Sequence, residues 1–194
     1  MTGAARERLP RWAPQDLDPA QREVYDSVAG GRRAQGPQLF RLTDERGALE
    51  GPFNAFLLQP RLGHALQALG SAVRYDTTLG DREREIAILV VAVAWDSGFE
   101  WYAHEAVGRH AGLADAELDA LRSGAFQDLP TETEQVVART AHALAVRDDL
   151  ADDEYARVVD VLGLPAVFEL LTLVGYYAAL ALQLRVFRVA PPRT

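Results

Sequence analysis

One ten-residue run limits what this chain can fold into more than any other. Ile86-Ala-Ile-Leu-Val-Val-Ala-Val-Ala-Trp95 is rich in β-branched residues and apolar on every side. Taken alone it suits a buried strand. Two features make it a helix instead. The charged lead Arg82-Glu-Arg-Glu85 runs straight into it, and no other segment offers a partner strand. A helix without a polar face must be covered all the way round. In a chain of 194 residues that argues for burial by a partner subunit.

Around this run the chain alternates helical stretches with Gly and Pro breakers, which sit where helix ends should place them. Pro60 opens a helix to about Arg74, with Leu62, Leu66 and Leu69 on one face. Others are predicted over 82–95, from Ser97 to near Gly112, and over 114–123. Thr131 and Glu134 form a capping-box pattern for a helix reaching about Asp148. Asp152 caps the next, which stops at Gly163, and Pro165 starts a final helix to Phe187. Residues 51–190 thus read as one all-α domain. Residues 1–50 read as an N-terminal extension or arm. It comprises a loose tail to residue 18, a short helix over 20–29 stopped by Gly30-Gly31, and an extended connector over 34–52.

Composition removes several chemistries. The chain holds no cysteine, so disulfides, thiolate metal sites and cysteine nucleophiles are excluded. Every basic residue is arginine, which excludes a Schiff-base lysine. The net charge of −8 and the absence of a basic run argue against a nucleic-acid partner. No His-x-x-x-His, Gly-rich phosphate loop or Gly-x-Ser-x-Gly elbow occurs, so no metal or cofactor is expected and serine hydrolase chemistry has no support. The first residues lack the apolar stretch of a signal peptide. The longest apolar run, Leu170 to Leu182, is too short to span a bilayer. A cytoplasmic protein without a membrane partner is the expectation.

The chemistry gathers in one spacing: Glu85, eleven residues, Ser97-Gly-Phe-Glu100, three residues, His104. This resembles the carboxymuconolactone decarboxylase and AhpD-like superfamily, whose peroxidase branch carries Cys-x-x-Cys where Ser97 and Glu100 stand here. The resemblance covers roughly residues 50 to 188. It implies an AhpD-like helical bundle assembled as a homotrimer or homohexamer. It also implies the decarboxylase side of the superfamily, since a thiol peroxidase cycle needs two thiols.

Glu100 and His104 lie four apart and share a helix face. Glu85 sits about one helix length from the turn at 96–98 if its helix packs antiparallel to theirs, yet the resemblance implies that Glu85 and His104 converge. Decarboxylation needs an electron sink and a proton donor. A conjugated lactone carries its own sink, so no cofactor is required. The leading expectation is a cofactor-independent lyase acting on a small carboxylated lactone or keto acid. His104 would be its proton donor, with Glu85 or Glu100 tuning or replacing it.

Other readings stay open. Ser97 and Glu100 also form a capping-box pattern. Trp101 fits a core or a pocket wall. Asn54 and Tyr176 fit a small-molecule pocket, although Tyr176 and Tyr177 equally suit a subunit interface. Arg84, Arg109 and Arg185 are equal candidates for holding a substrate carboxylate. Isomerisation, dehydration or lactone hydrolysis is the rival chemistry. A binding or scaffold protein that lost the chemistry is the reading from another class.

Overall fold

The computed structural model describes residues 7–35 and 37–192. The start of the chain, read above as lacking an apolar leader, falls outside them at residues 1–6. Among the described residues the regular structure is helical, apart from an isolated antiparallel bridge between Thr43 and Leu49. The α-helices are α1 (Pro19–Ala29), α2 (Pro52–Phe56), α3 (Pro60–Tyr75), α4 (Asp81–Ala94), α5 (Gly98–His110), α6 (Asp115–Ser123), α7 (Glu132–Arg147) and α8 (Asp152–Phe187). The capping box expected at Thr131 forms, with both of its hydrogen bonds to Glu134. α8 breaks at Gly163 (φ 77°, ψ 155°) before Pro165 restarts it, so the two helices expected there meet at a kink.

α4 is the central helix, packed against α5, α6, α7 and α8. Residues Ile86 to Val91 are all at most 1% exposed within this single chain. The expectation that a partner subunit must cover the whole of this run is therefore corrected for residues 86–92, while Val93 and Ala94 at its end stay exposed. Leu118 and Leu121 of α6, Val137, Ala138 and Ala141 of α7, and Leu170 and Leu173 of α8 share its core. Each fully buried Ile, Leu or Val contributes roughly 1.5–3 kcal/mol. At the N-terminal end of α4, Arg82 reaches Glu134 on α7 at 2.6 Å and Glu117 on α6 at 2.5 Å, tying three helices together.

The segment before α1, expected to be loose, packs onto its own domain. Leu9 joins Phe99, Ala103, Leu184 and Val189, and Ala13 is 1% exposed. Arg11 pairs with Glu50 at 2.8 Å. The apolar residues spaced between its charges give this segment a face to bury. On α3 the expected leucine face divides, with Leu62 and Leu69 exposed and Leu66 half-buried against the core. Gly63, Gln67, Gly70 and Val73 form its inner face. Small residues permit this approach: a Cβ on Gly63 would lie 2.3 Å from the Phe56 carbonyl oxygen.

The Leu170–Leu182 run lies inside a longer helix. By length and composition α8 could cross a membrane, so length alone does not argue against it. Leu170, Leu173, Val174, Tyr176, Tyr177, Leu180 and Leu184 pack inward, while Leu164, Phe168, Leu171, Leu182 and Val186 are exposed.

Candidate active site

α4 and α5 form an antiparallel hairpin around Asp96, whose φ of 50° turns the chain. His104 sits two turns into α5, so the returning chain brings it level with Glu85 near the start of α4. His104 Nδ1 lies 2.7 Å from Glu85 Oε2. Glu85 Oε1 in turn lies 3.4 Å from an Arg74 nitrogen at the end of α3. Both members of the dyad are buried.

Burial works to raise the Glu85 pKa. The hydrogen bond to His104 and the charges of Arg74 and Arg84 outweigh it and hold the carboxyl below its usual range. His104 is also held below the ordinary imidazole range, chiefly by burial, against the upward pull of Glu85. The resting pair is therefore a carboxylate and a neutral imidazole. Nδ1–H donates to Glu85, which leaves Nε2 as the basic atom.

Glu100 stands one helical turn before His104 in a different environment. It is 2% exposed, and neither carboxyl oxygen has a hydrogen-bond partner among the described residues. Burial pushes its pKa up to about 8, with the Ser97 hydroxyl pulling weakly the other way. No hydrogen bond of normal geometry joins the two, and the Ser97 hydroxyl is itself unpartnered. At neutral pH Glu100 is a protonated acid, because a bare carboxylate in this environment is unfavourable.

The capping box expected from Ser97 and Glu100 does not form, since Ser97 makes no side-chain cap on α5. The backbone N–H that Glu100 would have reached already donates to the Ala92 carbonyl at 2.8 Å. Glu100 is left to turn into a cavity.

That cavity measures about 30 Å³, room for about two waters. Glu100, His104, Phe99, Tyr176, Tyr177, Phe53, Arg74 and two residues of the arm, Arg33 and Phe40, line it. The His104 ring meets Tyr177 edge-on at 5.1 Å, and Tyr177 meets Tyr176 at 5.3 Å. Tyr176 Oη is buried without a partner, and burial pushes its pKa up to about 12.

The expected site residues thus divide. Glu100, His104 and Tyr176 face the cavity, and Glu85 supports His104 from behind. Asn54 does not line it; its amide donates to the Pro10 carbonyl at 2.8 Å and pins the arm. Trp101 and Ser97 border a separate groove, where the Trp101 indole donates to Glu105 and stacks under Arg122. Of the three candidate arginines none reaches the cavity. Arg84 pairs with Asp81, Arg109 with Asp115 and Glu105, and Arg185 donates to the Trp95 carbonyl. Arg33 and Arg74 stand there instead. Their only mark in the sequence is a charge at the border of a helical segment, which many other arginines share.

Residues 60–147 match the carboxymuconolactone decarboxylase family. No curated protein matches the chain. Among solved structures, an uncharacterized peroxidase-related protein with an alkylhydroperoxidase AhpD core, from Ralstonia eutropha JMP134, is similar at a TM-score of 0.74 and 14% identity. That match covers 96% of this chain and 92% of the other. A protein of unknown function from Agrobacterium tumefaciens, whose name likens it to the antioxidant defence protein AhpD, has a TM-score of 0.67 at 17% identity. It covers 75% of this chain and all of its own. The debrominase Bmp8, as a variant in complex with 2,3,4-tribromopyrrole, has a TM-score of 0.69 at 12% identity, covering 90% and 86%. At such identities the likeness is one of fold. The matched segment begins with α3, ends with α7 and carries Glu85, Glu100 and His104. Residues 60–147 match the model of the carboxymuconolactone decarboxylase family, and the chain around them has the AhpD-like fold.

Proposed function

We propose that this chain is a proton-transfer enzyme acting on a small carboxylated lactone or keto acid, with decarboxylation as its leading reaction and Glu100 as the proton donor. One observation carries the reading. Glu100 is a buried, unpartnered carboxylic acid on the cavity wall that stays protonated to about pH 8. This moves the donor role from His104, whose imidazole is neutral at rest.

In the reaction the C–C bond to the substrate carboxylate breaks and carbon dioxide leaves. The bonding pair flows into the conjugated carbonyl as an enolate. Glu100 delivers its proton to the carbon that lost the carboxylate, and the resulting Glu100 carboxylate regains a proton from water. Raising an acid's pKa toward the operating pH is how a carboxyl serves as a general acid. Glu85 fixes the tautomer of His104, so that Nε2 faces the reacting group as an acceptor.

A second reading has its own support. A neutral His104 opposite a protonated Glu100 is a base with an acid, the set that an isomerisation needs. Incubation with 4-carboxymuconolactone, following carbon dioxide and the proton NMR spectrum, separates the readings. Decarboxylation by Glu100 gives gas release that Glu100→Gln abolishes and a rate that falls only above about pH 8. Isomerisation gives no gas and a bell-shaped profile, with its acid limb below the ordinary imidazole range. No turnover of any acid in a screen would leave a binding protein.

A further inference from the structure

The cavity is bordered by polar atoms that the folded chain leaves unmatched. Tyr176 Oη, Arg33 Nε and both oxygens of Glu100 are buried without hydrogen-bond partners among the described residues. A buried polar atom left bare costs about 1–3 kcal/mol. Several of them around one space mark a place that a polar ligand completes.

Arg33 differs from the arginines near it. Arg32 pairs with Asp76, Arg74 with Glu85 and Arg84 with Asp81. Among the described residues no carboxylate lies within ion-pair distance of Arg33. Its guanidinium rests over the Phe53 ring, 5.1 Å from the centroid. Gly70 makes room beside it. A Cβ there would fall 2.2 Å from Tyr176 Oη and 3.0 Å from Arg33 Nη2, so both heads pack where a side chain would otherwise stand, side by side at the cavity wall.

Outside lies a cleft of about 740 Å³ that shares Arg33, Phe40 and Arg74 with the cavity. Arg32, Arg84 and His110 add to its lining, against Asp81 and Glu85. In a chain of net charge −8, this concentration of arginine draws small anions toward the cavity mouth. The cavity alone holds little more than a head group, and the cleft has room for the body behind it.

We infer that Arg33 and Tyr176, converging over Gly70, form a binding site for the carboxylate of a small organic acid. The N-terminal arm thereby supplies a substrate-holding residue to its own domain. The inference rests on the preceding reading for the acid's identity as substrate. It stands or falls on binding, whatever the turnover. A planar carboxylate matches one guanidinium fork flanked by one hydroxyl. A phosphate group would need more donors and more room.

Calorimetric titration of the full chain with benzoate, its neutral isostere benzamide, and inorganic phosphate tests this. Benzoate is expected to bind at least tenfold more tightly than benzamide or phosphate. Arg33→Gln should weaken benzoate at least tenfold, and Gly70→Ala should do the same by pushing Tyr176 Oη and Arg33 Nη2 out of place. Exposed Arg139→Gln on α7 should leave it unchanged. Circular dichroism confirms that each variant is folded. Equal binding of benzoate and benzamide overturns the inference. So do tighter phosphate binding, no binding of benzoate, or wild-type affinity in folded Arg33→Gln and Gly70→Ala. Benzoate binding that needs Arg33, without carbon dioxide release from any acid, sinks the reaction and leaves the site. Release with an unchanged KM in Arg33→Gln sinks the site and leaves the reaction.

Discussion

His104 Nδ1 lies 2.7 Å from Glu85 Oε2, and the carboxylate that orients the imidazole is itself held by Arg74 at 3.4 Å. This three-member chain runs from α3 through α4 to α5, so the tautomer of His104 depends on packing among all three helices. Glu85→Gln keeps the shape but removes the charge opposite Arg74. Breaking one member of a buried pair costs about 3–5 kcal/mol. Thermal unfolding should fall by roughly 10 °C, and turnover should drop at least about 100-fold. Wild-type stability together with wild-type turnover in Glu85→Gln would remove the dyad from the account.

Glu100 makes stability depend on pH in the opposite sense from a paired carboxylate. Its pKa is raised from 4.5 unfolded to about 8 folded. Between those values the folded state holds a proton that the unfolded state has lost, so stability falls as pH rises. His104, with its folded pKa depressed, works against this below about pH 6.5 and leaves the upper range to Glu100. Glu100→Gln should therefore be more stable than wild type at pH 8, by on the order of 3 kcal/mol, and about equal at pH 4. Chemical denaturation at the two values measures the difference. A variant that loses stability equally at both would show that the fold does not raise the Glu100 pKa.

The helical domain was legible because Gly and Pro breaks and the Thr131 capping box are local signals. That Glu85 meets His104 was implied by the family resemblance and not by the spacing. Within one hairpin that looked awkward when distances were counted to Ser97; His104, two turns further along α5, removes the difficulty. What could not be read was set by contacts between distant segments. Arg33 and Phe40 reach the cavity from the arm, across an interval that no local pattern spans. The return half of the capping box at Ser97 was pre-empted because the Ala92 carbonyl had already taken its N–H. The cover over residues 86–92 of α4 came from α6, α7 and α8 of the same chain, which a count of apolar residues does not reveal.

Gly51 holds the cavity wall through its backbone. Its φ of 60° and ψ of −140° belong to glycine, and a Cβ would sit 2.2 Å from the Phe99 ring. Pro52, Phe53 and Phe99 all line the cavity. Gly51→Ala should cost about 3 kcal/mol from the backbone conformation, and more from the ring it displaces. Pairing it with Phe99→Leu should recover part of the lost melting temperature, because the clash is with that ring while the backbone cost remains. An additive double variant would show that Gly51 and Phe99 do not interact.

The exposed face of α8 carries the expectation of self-association. Leu164, Phe168, Leu171, Gly175, Ala179, Leu182 and Val186 recur at intervals of three and four and are all exposed. Phe168 is 71% accessible. An exposed apolar stripe of this length is more favourable when covered. Its small central residues, flanked by large ones, let a second copy cross closely at Gly175, where nothing lies within 4 Å of a Cβ position. Light scattering on the eluted protein should then give a multiple of the 21.3 kDa chain mass, with a trimer or hexamer expected. Phe168→Glu with Leu182→Glu should reduce it to 21.3 kDa without loss of helix content. A wild-type chain that elutes at the single-chain mass would end the oligomer expectation. An oligomer that survives both charges would move the interface to the exposed leucines of α3.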